Sequence, residues 1–537
     1  MELTLSTVRQ AALLCAALAV IAALINARRV LRATREYFLE PGSALGLALM
    51  RVTIFWMLLQ HSDPEGIARN ATLPEALRHL PPGWGWLAPV LPFDGASAHA
   101  ITQLFAVASA LALLGLFTGV AAPIAALLGL YVLGMPNFFG KIDHGAHATE
   151  LCALILAASP CGDALSLDRV WRRYCGHEPP ALSAAYTLPL RFCFLILGTV
   201  YLFPGLWKLW MAGDLWISGV QLPAMLRSQW AHEYDFTPAF RPDESPWLMQ
   251  ALGIGTLLFE IGFSFMLWNR WTRIVAAFSA VAFHLSVLLL MGIHFHVLLP
   301  LVLLYDLPGL PNALAARLPK LTAPLVRAGA ALRARGEAWL ARGFGPLAQP
   351  RIGVSRIWLP AALVGAALLS MQLYAGNARL DSWPIAVHPR FDRRLTHAPT
   401  IRQRMTVIVE RASGEPTIDL GKGLENLGRA RSVRLLQQLR SMAWRATTEA
   451  ESAVAERGLI DLLAQSGVVL EAGDRVSILR QKWQLFPLDQ REGLQTTVLK
   501  RYEVTDELGL GPQTDRWKKK VKKKIKMKMK IKMKAKS

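Results

Sequence analysis

Several ionisable residues lie where hydrophobic sequence surrounds them, and their types are those that move protons. Residues 141–150 read KIDHGAHATE, which places one Lys, one Asp, two His and one Glu between apolar runs. His144, His147 and Glu150 are spaced three apart, so on a helix they share a face. Two chemistries suit such a face, metal binding and acid–base or substrate contact, and a hydrated interfacial loop is the bland alternative. No HExxH pattern occurs, and no metal is expected. Lys208 sits in FPGLWKLW. It reads either as a snorkelling lysine with its ammonium at the headgroups or as a desolvated lysine available as a base. Glu260 stands alone among apolar residues in 248–267 and requires a partner on another helix, for which Arg273 and His284 are the candidates. His294 and His296 lie in an apolar turn, and interfacial placement alone accounts for them.

The elements that must hold these residues are membrane helices. The chain has 537 residues, 53% hydrophobic and 18% charged, with a mean hydropathy of +0.31. Residues 100–133 contain no charge at all. Apolar stretches of about 20 residues match the hydrocarbon thickness at helical rise. Ten stretches qualify: 11–26, 45–60, 100–118, 121–138, 148–160, 190–208, 248–268, 274–291, 295–306 and 357–375. The fifth and ninth are short, so nine or ten spans are expected. Arg28, Arg29, Arg32 and Arg35 follow the first span and only Arg9 precedes it, the reverse of a cleaved signal, so an anchor is expected.

The expected fold class is an all-α polytopic membrane helix bundle with a small α+β soluble C-terminal domain. The bundle occupies 11–306 and the last transmembrane helix 357–375. Between them, 307–356 carries eight basic residues against Glu337 and reads as a basic cytoplasmic loop. Loops 27–44, 161–189 and 269–273 are also arginine-rich, and the ten spans put all four on one side, the cytoplasmic one. The C-terminal domain, 376–510, is then exoplasmic. In it 405–410 and 475–484 alternate like strands, Gly414-Glu415-Pro416 marks a turn, and 431–446 and 452–465 have helical spacing. The protein is expected in the plasma or inner membrane, with lipid as its first partner.

The net charge is +21, but twelve lysines lie in 518–537, which leaves +9 for the rest, much of it in loops flanking spans. A nucleic-acid partner is therefore not expected. The Lys-rich tail, 511–537, cannot build a core and is expected to be disordered. Its lysines suit anionic lipid or phosphate, and its period-two alternation also has the look of a nucleotide-repeat artefact at a reading-frame end. Five cysteines form no CxxC pair, and only Cys161 and Cys175 are placed in a loop where a disulfide is conceivable.

An ordered series of motifs resembles the HTTM (horizontally transferred transmembrane) family shared with vitamin K-dependent gamma-carboxylase. It runs through Asp143-His144, then Gly162-Asp163-Ala164-Leu165-Ser166-Leu167-Asp168, then Gly205-Leu206-Trp207-Lys208-Leu209 with Trp216 and Gly219. Glu260 ahead of Arg273 and Ala282-Phe283-His284-Leu285 complete it, over roughly 36–306. Ser382-Trp383-Pro384-Ile385 and His388-Pro389-Arg390-Phe391 also look like sequences of bacterial members. The resemblance implies a lyase-class membrane enzyme that uses a vitamin K-type hydroquinone. A membrane lysine deprotonates the hydroquinone, which oxygen converts to an epoxide as a protein glutamate is carboxylated. Lys208 matches that lysine, His144 the supporting histidine segment with His147 competing for the role, and Glu260, His284 and Trp207 become substrate-binding candidates. The carboxylase has a much larger exoplasmic portion, which binds its protein substrate, so the resemblance favours a quinone or another small lipid-soluble substrate here. A different class stays open: a non-catalytic assembly or maturation factor that handles an exoplasmic protein through 376–510. Transport is a weaker third reading, because no internal repeat of the transporter kind occurs.

Overall fold

The computed structural model describes residues 4–306, 318–344, 351–352, 358–414, 418–419 and 453–512, with breaks inside 74–77, 140–143, 233–235, 297–298, 388–392, 454–455, 461–469, 487–492 and 506–509. Of the sequence expectations, the helix over 431–446, Asp143, all of His388–Phe391, Glu415 and Pro416 of the expected turn, and the tail from 513 lie outside the described residues. The chain divides into two compact units, 1–71 with 80–399, and 72–79 with 400–537.

The first unit is helical. Its helices are α1 (Leu5–Ile25), α2 (Ala27–Leu39), α3 (Ala44–Gln60), α4 (Pro64–Ala71), α5 (Gly95–Leu114), α6 (Thr118–Val132), α7 (His147–Ala157), α8 (Leu167–Tyr174), α9 (Ala184–Ile217), α10 (Gln221–His232), α11 (Pro246–Met266), α12 (Arg270–Met291), α13 (Pro319–Phe344) and α14 (Trp358–Ala378). Polar caps start many of them. Ser43, Asp94, Ser166, Ser183 and Asn269 each accept a hydrogen bond from a backbone N–H in the first turn of α3, α5, α8, α9 and α12. Gly115 ends α5 and Gly292 ends α12 at positive φ (70° and 65°), the left-handed conformation that favours glycine.

Among the described residues, seven helices are long and apolar enough to cross a membrane, or up to eight if α3 and α4, bent by 58°, count as one span. Their outer faces expose Leu14, Leu24, Val107, Leu127, Leu258, Phe265 and Phe278, each more than half accessible, and a water-soluble surface does not carry apolar side chains so densely. The protein is a multi-pass membrane protein. Nine or ten spans were expected, and the difference lies in two places. The 148–160 stretch forms only the eleven-residue α7, and 295–306 holds a short 3-10 helix, Leu299–Leu304. Hydropathy registers composition in both, whereas their backbone is too short or too irregular to span alone.

Contacts gather the arginine-rich loops at one end of the bundle. Strand β1 (Gly42–Ser43) pairs with β3 (Leu182–Ser183), and β2 (His177–Glu178) pairs with β4 (Arg351–Ile352). Arg273 and Arg191 both reach Asp306. Loops 27–44, 161–189, 269–273 and 307–356 therefore meet, as the charge bias required. The 307–356 segment is no simple loop, because it contains α13. At the same end, the Gly162–Asp168 motif is a structural junction. Arg51 donates to the carbonyls of Cys161, Ala164 and Leu165, Asp163 accepts from Arg172 and Tyr186, and Asp168 accepts from the amides of Phe117 and Thr118 at the start of α6. The five cysteines are free, with Cys161 buried and Cys175 exposed.

The opposite end is closed by residues 379–387 and 393–395. Trp383 donates to Leu130 O (2.8 Å) and its own carbonyl accepts from Trp84, Ser382 donates to Pro82 O, and Arg394 pairs bidentately with Asp214 at 2.5 and 2.9 Å. Gln221 brackets the strap, donating to Arg393 O and accepting from Leu395 N. These bonds tie Ser382, Trp383 and residues 393–395 to the helices, and the second unit resumes at 400, not at 376.

The second unit carries a five-stranded antiparallel sheet, ordered β6-β5-β7-β8-β9, from β5 (Ile401–Glu410), β6 (Ile418–Asp419), β7 (Arg475–Gln484), β8 (Gln495–Val504) and β9 (Leu510–Pro512). The two expected strands are the paired centre, in register from Ile401↔Gln484 to Glu410↔Arg475. Val407, Val409, Val476, Ile478 and Tyr502 are buried, with Leu459 and Leu463 from the helical residues of 453–464. Strand β8 was not foreseen, since its alternation is broken at Val498-Leu499, close to the β-bulge opposite Ile478/Leu479.

Candidate functional site

The site follows from α9, which at 34 residues is the longest helix described. It runs from the arginine-rich end to the strap end, and Ala212 leaves helical geometry (φ −149°, ψ 26°), which turns the final segment. Trp216 beyond this kink comes back over Lys208, whose ammonium lies 5.3 Å from the indole centroid. On α11, Glu260 faces the same point, and Gly205 lets the two helices approach: a methyl there would lie 2.8 Å from Glu260 Cβ.

Lys208 and Glu260 form a buried ion pair, with the ammonium donating to Glu260 Oε1. Both side chains are 5% exposed or less, which identifies a charge pair withdrawn from solvent. The partner of Glu260 is thus neither Arg273 nor His284. Arg273 lies at the other end of α12 bound to Asp306, and His284 Nε2 is 2.6 Å from the hydroxyl of Tyr201. Charges in low dielectric persist only when closely paired, and Lys208, about one turn before the Ala212 kink of α9, faces Glu260 where α9 packs on α11.

These groups line one cavity of about 150 Å3. Lys208, Glu260, His284, His144 and His296 supply its polar lining, and Tyr201, Trp216, Phe263, Phe283 and Phe295 its aromatic walls. Phe295, His296, Leu299 and Pro300, none of them in an α-helix, form part of the wall. Non-helical backbone at membrane depth is tolerated where it is buried in protein or lines a cavity.

Not every expected residue reaches the cavity. His147 is fully buried behind His144, its ring 5.1 Å from that of His144 and edge-on to Trp383 at 4.7 Å. Trp207 points the other way, donating to Gly376 O on α14 beneath the guanidinium of Arg379. His144 also lies 3.3 Å from Asp381, whose side chain is 47% exposed, so the histidine joins the cavity to the strap. His294 is exposed and does not line the cavity. Tyr201 and the aromatic walls were missed, because tyrosine, phenylalanine and tryptophan in apolar spans carry no mark that separates wall from core. Among the described residues no group of three or more His, Cys, Asp and Glu is placed to hold a metal ion.

The lining is of the kind that holds an aromatic ring bearing hydroxyls. A volume of this order holds a single aromatic ring, the walls are aromatic, and two polar pairs, Lys208–Glu260 and Tyr201–His284, face one space. Comparison with protein-family models, with curated proteins and with solved structures returns no match.

Proposed function

We propose that the protein is a membrane enzyme that oxidises a small lipid-soluble quinol, with Lys208 as its base. The observation that carries this reading is the convergence of Lys208, Glu260, Tyr201, His284 and His144 from three helices and one turn on a single aromatic cavity. A purely structural role for each would leave them scattered over separate contacts.

The Lys208–Glu260 contact offers a path for a proton from the ammonium to the carboxylate, a transfer that leaves the net charge of the pair unchanged. With the proton on Glu260, neutral Lys208 accepts a proton from a hydroxyl in the cavity, and Glu260 returns the ion pair to rest when it releases its own. Tyr201 and His284 form a second pair that donates to or accepts from an oxygen on the facing side. His144 connects the cavity to Asp381 and thereby to water. Bound in the cavity, the quinol would supply the acidic hydroxyl and the reducing electrons, with molecular oxygen as the oxidant. Exclusion of water by Trp216, Phe263 and Phe283 strengthens each of these electrostatic contacts.

The test is direct. Purified protein given reduced vitamin K and oxygen is expected to form the epoxide, followed by chromatography, and Lys208→Ala is expected to lower the rate at least ~100-fold, the scale of a lost general base. Equal turnover by Lys208→Ala and the parent sinks the assignment.

A further inference from the structure

At the arginine-rich end of the bundle, far from the cavity, two guanidiniums are buried beside one carboxylate. Arg191 (α9) and Arg273 (α12) are 4% and 2% exposed, and both bind Asp306 Oδ2, at 2.6 and 3.1 Å. The remaining acid in reach is Glu40, 3.7 Å from Arg191 with a 64% exposed side chain, which marks the open side of the cluster. Inside, cations outnumber anions.

Three buried donors at this point make no hydrogen bond among the described residues: Thr187 Oγ1, Arg191 Nη1 and Arg273 Nε. Buried donors are nearly always satisfied, so three together require an explanation. The backbone adds to the imbalance. Gly42 lies at the start of α3, Thr187 in the first turn of α9 and Arg273 in the first turn of α12, so three helix N-termini, each with positive dipole character, meet here. Gly42 packs closely against the same point, because a methyl on it would collide with Thr187 Oγ1 and lie 3.7 Å from Asp306 Oδ1.

We infer that this arginine cluster is a binding site for a phosphate-class oxyanion. Guanidinium forks and helix N-termini both match phosphate oxygens. Trp268 and Trp271, exposed at the same end, place the cluster at the depth where aromatic residues meet headgroups. Basic pockets between membrane helices hold lipid headgroups by this chemistry. The oxyanion comes either from an anionic lipid or from free phosphate.

The experiment uses the full-length protein in nanodiscs of phosphatidylcholine alone, of phosphatidylcholine with added inorganic phosphate against a chloride control, and of phosphatidylcholine with phosphatidylglycerol. Apparent melting temperature is read in each. A rise of several degrees is expected in at least one anion arm: phosphate alone assigns a free oxyanion, phosphatidylglycerol alone a headgroup, and both assign a site open to either. Thr187→Val is expected to lose at least half of that rise while melting no lower in plain phosphatidylcholine, since its hydroxyl bonds to nothing there. Arg273→Gln is expected to abolish it. No rise in either arm, or an undiminished rise in Thr187→Val, overturns the proposal, and the valine variant decides alone if Arg273→Gln does not fold.

Discussion

Lys208 and Glu260 neutralise one another inside the bundle, and neither is affordable there alone. Replacing one leaves a buried charge unpaired, at about 3–5 kcal/mol. Glu260→Leu is therefore expected to lower stability by that amount, and adding Lys208→Met to recover most of it, as read from unfolding midpoints in one detergent. An unrecovered double variant would mean that the pair is not coupled. Tyr201→Phe removes only the hydroxyl bonded to His284 and is expected to cost about 1 kcal/mol. The sequence revealed both charges, because a lysine and a glutamate inside apolar runs are conspicuous. It did not reveal their pairing, which joins positions 52 apart through the packing of α9 on α11. Arg273 and His284 were the expected partners of Glu260, being nearer along the chain, but Arg273 binds Asp306 at the far end of α12 and His284 bonds Tyr201.

Elements are set by their ends. Asp168 accepts from the first amides of α6 across 50 residues, so Asp168→Ala is expected to cost about 1–2 kcal/mol through loss of a cap. A second terminus titrates. Asp243, before α11, binds Arg241 and Arg227. Burial alone would raise its carboxyl, but the two guanidiniums outweigh burial and hold it below the ordinary value. Its folded value lies under its unfolded one, so its contribution is full above about pH 4 and is lost as pH falls through the folded value. Melting temperature followed from neutral to acid pH should show that loss, and Asp243→Asn should flatten the acid limb. Helix starts were legible wherever Ser, Asp or Asn precedes an apolar run. The caps that reach from elsewhere, such as Asp168 to α6, were not, since nothing local announces them.

Over the whole molecule, the four basic loops meet at one end and the strap closes the other. A membrane-impermeant thiol reagent should reach the exposed Cys175 and Arg29→Cys from the same face of sealed vesicles, and Glu65→Cys from the opposite face. Labelling of all three from one face would break this arrangement. The loop bias foretold the grouping because charge is conserved in composition whatever the backbone does. Span count was less legible, since α7 and 295–306 are apolar without being long helices. The boundary at 400 was hidden too, as Ser382, Trp383 and residues 393–395 read as soluble chain yet are tied to the bundle by tryptophan and arginine contacts.

The helix α9 has a further consequence as a ruler. Arg191 and Lys208 are separated by 17 residues, about 25 Å at helical rise, close to the ~30 Å thickness of bilayer hydrocarbon. One cation stands toward each end of the span, fixed to the same rod. Bilayers of longer acyl chains draw both ends inward or tilt the rod, whereas shorter ones let headgroup water approach the Lys208 end. Lipid chain length thereby becomes a dial on how dry the lysine is.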